Sequence, residues 1–291
     1  MSETGAGPPH SARVEPVRPG VPVRLADRIW RLTATNSGMM TGPGTNTYLV
    51  AAAGESLVID PGPDDETHIE ALLAAAPSPI RRILVTHTHE DHSPGAARLK
   101  ARTGASVLGR SSPHRHWQDA SFACDRELAG GERLRLDPRG ALRAIHTPGH
   151  ASNHLCYLLE PERLLFTGDH VIQGSTVVID PPDGDMAAYL GSLRELLEED
   201  IRCLAPGHGT LIPDAHEAIR ALIRHRLQRE AKVLAALESG QAAPLERLLH
   251  RVYDDVPAAL HPIAERSLLA HLLKLESESR ARRTACGWLG A

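Results

Sequence analysis

Four short apolar runs in this chain each end on a turn that carries a histidine or an aspartate. Ile83-Leu84-Val85 runs straight into Thr-His-Thr-His-Glu-Asp-His, which sets His87, His89, Asp91 and His92 within six residues. Leu142 to Ile145 leads through Thr147-Pro148-Gly149 to His150. Leu164 to Thr167 leads through Gly168 to Asp169, and Ile201 to Leu204 leads through Pro206-Gly207 to His208. Gly and Pro end strands and permit tight turns, so a polar side chain placed there faces a cleft instead of a core. A fold that accepts this pattern must bring the four strand ends to one shared site. Clustered imidazoles and carboxylates repel when charged and are costly when buried, unless something common satisfies them. A divalent metal does so, because neutral imidazole nitrogen and carboxylate oxygen are both good ligands. The competing reading is a polar loop in a chain that holds 17 histidines.

Strand-like runs at Ile29–Ala34, Thr47–Val50, Ser56–Asp60, Ser106–Leu108, Arg133–Leu136 and Leu155–Leu159 alternate with helical patterns at Glu66–Ala75, Gly95–Arg102 and Met186–Glu198. Such alternation predicts an α/β sandwich, two sheets with helices outside. After His208 the pattern is helical: Ala215–Ser239 carries Ile219, Leu222, Ile223, Leu227, Leu234 and Leu237 at helical spacing. Gly240 stops that helix, Pro244 opens another through Tyr253, and Ile263–Ser277 makes a third. The expected division is a flexible Pro/Gly-rich segment over 1–20, a catalytic domain over 21–214 and a helical accessory domain over 215–291.

The motifs around Asp60 (Leu57-Val58-Ile59-Asp60-Pro61-Gly62), His87 to His92, His150, Asp169 and His208 resemble, in order, those of the metallo-β-lactamase superfamily of hydrolases. The resemblance implies an αββα sandwich with metals at one edge of the paired sheets. It implies that His87, His89 and His150 hold a first metal, that Asp91, His92 and His208 hold a second, and that Asp169 bridges them. Asp60 would buttress the ligand loop, and ligands need such support to hold their orientation. Seven ligands exceed the four of a closed structural zinc site. Paired ions about 3.5–4 Å apart can share a bridging hydroxide formed at neutral pH, with Asp91 doubling as ligand and proton shuttle. Zinc is the leading ion, with manganese and iron compatible with the same donors. His154, four residues after His150, is expected as a buried histidine beside the ligands. His170 should point away from Asp169, and His114 and His116 are expected on a solvated loop. Some β-lactamases of the superfamily place a cysteine at the second metal. Here none of Cys124, Cys156, Cys203 and Cys286 falls on a ligand motif, and they read as thiols of a reducing compartment.

The region after His208 resembles the winged-helix-like domain of the β-lactamase-like-protein-2 family. That likeness rests on His225-Arg226, Arg229-Glu230, Val252-Tyr253 and Ala270–Glu276, with Ser175–Val178 and Tyr189 upstream, and runs from about residue 40 to 280. Animal members of that family cut single-stranded RNA. Residues 220–291 hold 12 Lys/Arg against 8 Asp/Glu, so a basic accessory domain could track a phosphate backbone. Aromatic platforms for bases are few, since Phe, Trp and Tyr total nine. The 19 positions between His150 and Asp169, and the 39 between Asp169 and His208, leave no room for a large inserted nuclease domain. The rival is a glyoxalase-II-like thioester hydrolase, with Arg224, Arg226 and Arg229 to recognise glutathione. A third reading is a non-catalytic, metal-stabilised RNA-binding protein.

A formal charge of −4 argues against a wholly basic nucleic-acid binder. No apolar run approaches the roughly 18 residues of a membrane span, and a cytoplasmic protein without membrane or other protein partners is expected. Its partner would be single-stranded RNA or a small thioester as substrate, with a homodimer left open. The segment Ser37 to Thr45, rich in Gly and Met, is expected as a mobile loop at the cleft mouth.

Overall fold

A seven-stranded sheet takes the strands in chain order: β1 (Val23–Ala26), β2 (Ile29–Thr33), β3 (Asn46–Ala52), β4 (Glu55–Ile59), β5 (Ile80–Leu84), β6 (Ser106–Gly109) and β7 (Arg126–Glu127). The first four pair antiparallel and the rest parallel. A second sheet of five runs β12 (Cys203–Pro206), β11 (Leu164–Gly168), β10 (Leu155–Leu159), β9 (Gly140–His146), β8 (Arg133–Asp137). The computed structural model describes residues 14–291 except His116, Arg139 and Ser239, so His10, His116 and most of the expected lead-in lie outside the described residues.

Aliphatic strands such as Leu155–Leu159 are buried on both faces, which requires a layer on each side. Between the sheets pack Leu25, Ile29, Val50, Leu142, Tyr157 and Leu164, with the Tyr48 and Phe166 rings 5.0 Å apart. Helices α1 (Glu66–Ala75) and α2 (Gly95–Thr103) cover the first sheet through Ile69, Leu72 and Leu99. Helix α3 (Met186–Leu196) covers the second through Tyr189, Leu190 and Leu193. Asp65 caps α1 and Asp185 caps α3, each accepting from a first-turn amide, as short polar residues before an apolar stripe should. This is the αββα arrangement.

Helix α4 (Ala215–Leu237) links two cores. Ile219, Leu222 and Ile223 pack on the sandwich, whereas Val233, Ala236 and Leu237 join α5 (Leu245–Val252) and α6 (His261–Ser277). The expected single apolar stripe breaks in the middle: Leu227 is 39% exposed, and Arg226, Arg229 and Glu230 are buried instead. The helix face must switch between two cores, and the crossover is filled with polar groups: Arg229 pairs with Asp255 and Glu230 with Lys274, while Arg226 has no ion pair among the described residues. The C-terminal unit is also not wholly helical. Strands β13 (Ala281–Thr284) and β14 (Gly287–Gly290) form an antiparallel hairpin, the wing, whose runs Ala-Arg-Arg-Thr and Gly-Trp-Leu-Gly are too short for hydrophobic alternation to mark them as strands. No helix among the described residues is long and apolar enough to cross a membrane.

Candidate metal centre

Strands β9, β11 and β12 point the same way, because β10 reverses between β9 and β11 while β11 and β12 pair parallel. Their C-terminal ends therefore share one edge and deliver His150, Asp169 and His208 to it. In the first sheet β4 and β5 are parallel neighbours, so Asp60 and the His87–His92 turn emerge side by side. Close approach at this edge needs glycine. A Cβ on Gly207 would sit 2.6 Å from Asp169 Oδ1 and 2.8 Å from His92 Cε1. One on Gly149, at φ +142°, would sit 2.3 Å from the Tyr189 Cα.

The donor atoms form two clusters. His87 Nε2 lies 3.0 Å from His89 Nδ1, which lies 3.1 Å from His150 Nε2. His92 Nε2 and His208 Nε2 each face Asp91 Oδ2, at 3.3 and 3.4 Å, and Asp169 Oδ1, at 3.4 and 3.3 Å. The other oxygen of Asp169 faces His150 Nε2 at 3.8 Å, so this one carboxylate spans both clusters. His87, His92 and Asp169 also form a triad of donor atoms within 4.8 Å of one another.

Hydrogen bonds behind the rings decide which nitrogens carry protons. His150 Nδ1 donates to the Val178 carbonyl at 2.7 Å and His208 Nδ1 to the Gly44 carbonyl at 3.2 Å, since a carbonyl can only accept. Asp60 accepts from the Thr86 amide (2.7 Å), the Thr86 hydroxyl (2.8 Å) and His92 Nδ1 (3.0 Å). With its one proton given to Asp60, the Thr86 hydroxyl can only accept from His87 Nδ1, 3.0 Å away. One buried carboxylate thus turns the lone pairs of His87 and His92 inward. Nitrogens about 3 Å apart with lone pairs facing each other repel, and that spacing suits ligands about 2.0–2.1 Å from a shared ion.

Electrostatics agrees. Burial first, then the neighbouring imidazoles, hold His87 far below 6.5 and bring His89 to about 3, so both are neutral. In the other cluster burial opposes charging, yet Asp169, with Asp91, raises His208 to about 10. Against the same desolvation, Asp91 and Asp169 lift His92 well above 6.5. Without an ion, protons on His92 and His208 supply the positive charge these carboxylates demand. The buried Asp169 Oδ1 and His92 Nε2 have no hydrogen-bond partner. The His/Asp cluster fits a metal site.

His154 is fully buried; its ring stacks on His87 at 5.0 Å and its Nδ1 pairs with Thr147. His170 is buried between His154 and Tyr189, away from the donor clusters. His114 lies on a partly exposed loop, as expected, and that loop also lines the cleft: His114 Nε2 lies 3.8 Å from Asp183, whose carboxylate accepts from the Gln118 side chain and the Ser152 amide. The segment Ser37 to Thr45 does border the cleft, and its end reaches the site: Thr45 Oγ1 donates to Asp91 Oδ2 at 2.8 Å while Asn36 holds Thr45. Thr45, Trp117, Asp183 and Arg266 carry no motif, and nothing in their local sequence marks them.

The chain matches the family description Metallo-beta-lactamase superfamily over residues 40–208 and Beta-lactamase associated winged helix domain over residues 245–288. It is 32% identical over 263 residues to an atrochrysone carboxyl ACP thioesterase of Aspergillus chevalieri, covering 84% of this chain and 81% of that protein. It is 28% identical over 273 residues to the beta-lactamase-like protein 2 homolog of Caenorhabditis elegans, covering 92% and 88%. A beta-lactamase domain protein from Burkholderia ambifaria superposes with a TM-score of 0.81 at 19% identity, over 97% of this chain and 100% of that one. With its sandwich, its winged helix and its edge of histidines and aspartates, the chain belongs to the metallo-β-lactamase superfamily and is a metal-dependent hydrolase.

Proposed function

We propose that this protein hydrolyses an acyl thioester at a pair of divalent metal ions, with His87, His89 and His150 holding one ion, Asp91, His92 and His208 the other, and Asp169 between them. The observation that carries the choice of substrate is the wall of the cleft, a cavity of about 650 Å³. Beyond the donor residues it is lined by Met40, Trp117, Val178 and Ile263 and by the carboxylates of Glu90, Asp180 and Asp183. Of its two arginines, Arg266 stacks on Trp117 and pairs with Asp180, so Arg115 alone offers an unshared charge among the described residues. An apolar acyl group suits the walls at Met40, Trp117, Val178 and Ile263, whereas beyond the ions themselves a polyanion finds a single unshared arginine to follow. The similarity to a protein named as an acyl-carrier thioesterase supports the same reading. Of the arginines expected to grip an anion, Arg224 is exposed and bound to Glu217, while Arg226 and Arg229 of α4 line an adjoining cavity and not the wall beside the donor residues.

Two divalent ions in this site would polarise the acyl carbonyl and supply the attacking water. Asp91, with Oδ2 among the donor atoms and steadied by Thr45, would keep its second oxygen to take the proton of that water. His150 and His208, locked through their Nδ1 atoms, keep their donor nitrogens forward. Water adds to the acyl carbon, the carbon–sulfur bond breaks, and the sulfur departs as a thiolate. A thiol with pKa about 8.5 leaves without first taking a proton, so the cleft need not provide an acid.

The test is a parallel assay of protein loaded with zinc, manganese or iron against acyl-pantetheine thioesters, lactoylglutathione, single-stranded RNA and a β-lactam. Thiol release that exceeds turnover of the other substrates by at least about a hundredfold is expected. RNA cleavage without thiol release would overturn the thioester assignment and favour the endoribonuclease reading.

A further inference from the structure

The reactive cleft continues into a second cavity of about 330 Å³ beneath α4 and α6, and Met40, Val178 and Ile263 line both. The two cavities differ in charge. Asp91, Asp169, Asp180 and Asp183 face the first, but among the described lining residues of the second there is no carboxylate, and His225, Arg226 and Arg229 are present.

Arg226 is the telling residue. It is 3% exposed, stacks 5.4 Å from the Tyr189 ring centre, and donates to the Val177 carbonyl. Its Nε has no partner, and among the described residues it makes no ion pair. A buried cation without a counter-charge is costly, and an apolar side chain would pack against Tyr189 without that cost. Close by, the Tyr253 hydroxyl is buried and unbonded, with Arg229 lying 4.3 Å over its ring. Arg229 shares its charge with Asp255. At the mouth, neither the amides nor the hydroxyls of Ser175 and Thr176 bond to protein among the described residues. The field is positive enough that His225 is held below 6.5 by burial first and then by Arg226 and Arg229.

We propose that this second cavity is an anion subsite that receives the phosphate of a phosphopantetheine-type carrier arm whose thioester lies at the metal centre; the assignment rests on the thioester reading of the cleft. An arm of this kind is a linear amide chain with an acyl thioester at one end and a phosphate at the other. Its chain would pass the apolar neck at Met40, Val178 and Ile263. A phosphate oxygen set can use several donors at once, and Ser175, Thr176, His225 and Arg226 offer them from separate elements. Such a subsite also explains why a hydrolase with an acidic cleft keeps unneutralised positive charge on the accessory unit.

The experiment pairs two substrates that differ only in the phosphate, acyl-pantetheine and acyl-phosphopantetheine, with the coenzyme A and carrier-protein thioesters of the same acyl group as further arms. The phosphorylated substrate should show a KM at least about tenfold lower, the worth of one charge-assisted hydrogen bond. That ratio should fall toward one in Arg226→Met and in His225→Gln, the second variant being a partly exposed position that tolerates change if the first fails to fold. Calorimetric binding of phosphopantetheine and of pantetheine to metal-free protein gives a readout that needs no turnover. Equal KM and equal binding for the two forms would overturn the subsite. Preferential binding of phosphopantetheine without hydrolysis of any thioester would uphold the subsite and sink the thioester reading. If single-stranded RNA binds, phosphopantetheine does not, and both variants weaken the RNA, the cavity belongs to a nucleic-acid backbone and the carrier-arm assignment falls. A preference for the carrier-protein thioester over the coenzyme A thioester separates the two sources of the arm.

Discussion

Asp60→Asn is the sharpest perturbation available, because it changes proton placement with little change in shape. Asp60 sits at φ +52°, a region that Asn tolerates as well as Asp, so the backbone need not move. An amide still accepts from the Thr86 amide through its oxygen. Its NH2 then faces the Thr86 hydroxyl and His92 Nδ1, both of which donate to the carboxylate in the native protein. The amide cannot accept from either. His92 must move its proton to Nε2, or Thr86 must turn its hydroxyl toward His87 Nδ1 and push that proton to the inward nitrogen. Either change aims an N–H into the proposed metal site. Restoring the ligating tautomer forfeits a hydrogen bond to a charged group, about 1.5–3 kcal/mol, which corresponds to roughly 10–100-fold weaker metal binding, the usual loss when a partner that orients a ligand is removed. Competition against a chromophoric chelator should show this loss for ions in both clusters, and nitrogen-15 shifts of the imidazoles should report the altered tautomers. A variant that keeps native metal affinity and native tautomers would refute the relay from Asp60 through Thr86 to His87.

Other outcomes follow from the same structure. Metal-free protein should lose stability as pH rises from about 6.5 to about 10: His208 is raised in the folded state, so its contribution is full below the unfolded value and vanishes on deprotonation. Metal-loaded protein should lack that slope in thermal melts, and a slope identical in both forms would count against proton–metal exchange at His208. In the acid direction, burial opposes ionisation of Glu230, but His271 and Lys274 bring it from 4.5 to about 2. Its contribution, up to roughly 3 kcal/mol, is present above 4.5 and lost as pH falls toward 2. Urea midpoints of Glu230→Gln should therefore be lower at pH 7 and converge on those of the native protein near pH 2. Gly149→Ala would drive a Cβ into the Tyr189 backbone at a positive φ, so a loss on the order of 3 kcal/mol or more is expected by denaturant titration. Thr45→Val should lower kcat by about tenfold with metal content unchanged, as one hydrogen bond to Asp91 is lost; unchanged kcat would exclude a positioning role for that hydroxyl.

The residues that gather at the sheet edge were legible because His150, Asp169 and His208 each follow a strand through a Gly- or Pro-containing turn and His87 to His92 cluster straight after one, and local sequence carries both signals. The alternation that predicts the sandwich reappears in β2–β6 and α1–α3 at nearly the expected bounds. The wing hairpin and β7 were not legible, since Arg-Glu, Ala-Arg-Arg-Thr and Gly-Trp-Leu-Gly are too short to show a hydrophobic period. Helix α4 defeated a single-stripe reading for a different cause: Leu227 and Arg226 exchange the expected burial at the point where the helix passes from one core to another. His114 belongs to the cleft through Asp183, a residue 69 positions away, and no local pattern encodes such a pairing.

Local chemistry determined which side chains gather, because turn geometry and ligand type are properties of a few consecutive residues. What those side chains face is not. The inward lone pairs on His87 and His92 depend on Asp60 and Thr86 meeting across two parallel strands. Part of the apolar wall of the cleft, and the arginine that pairs with Asp180, depend on α6 of the accessory unit reaching over it with Ile263 and Arg266. The uncompensated Arg226 arises where α4 crosses between cores. Each of these joins groups far apart in the chain, and only packing of the complete fold brings their charges and hydrogen bonds into range.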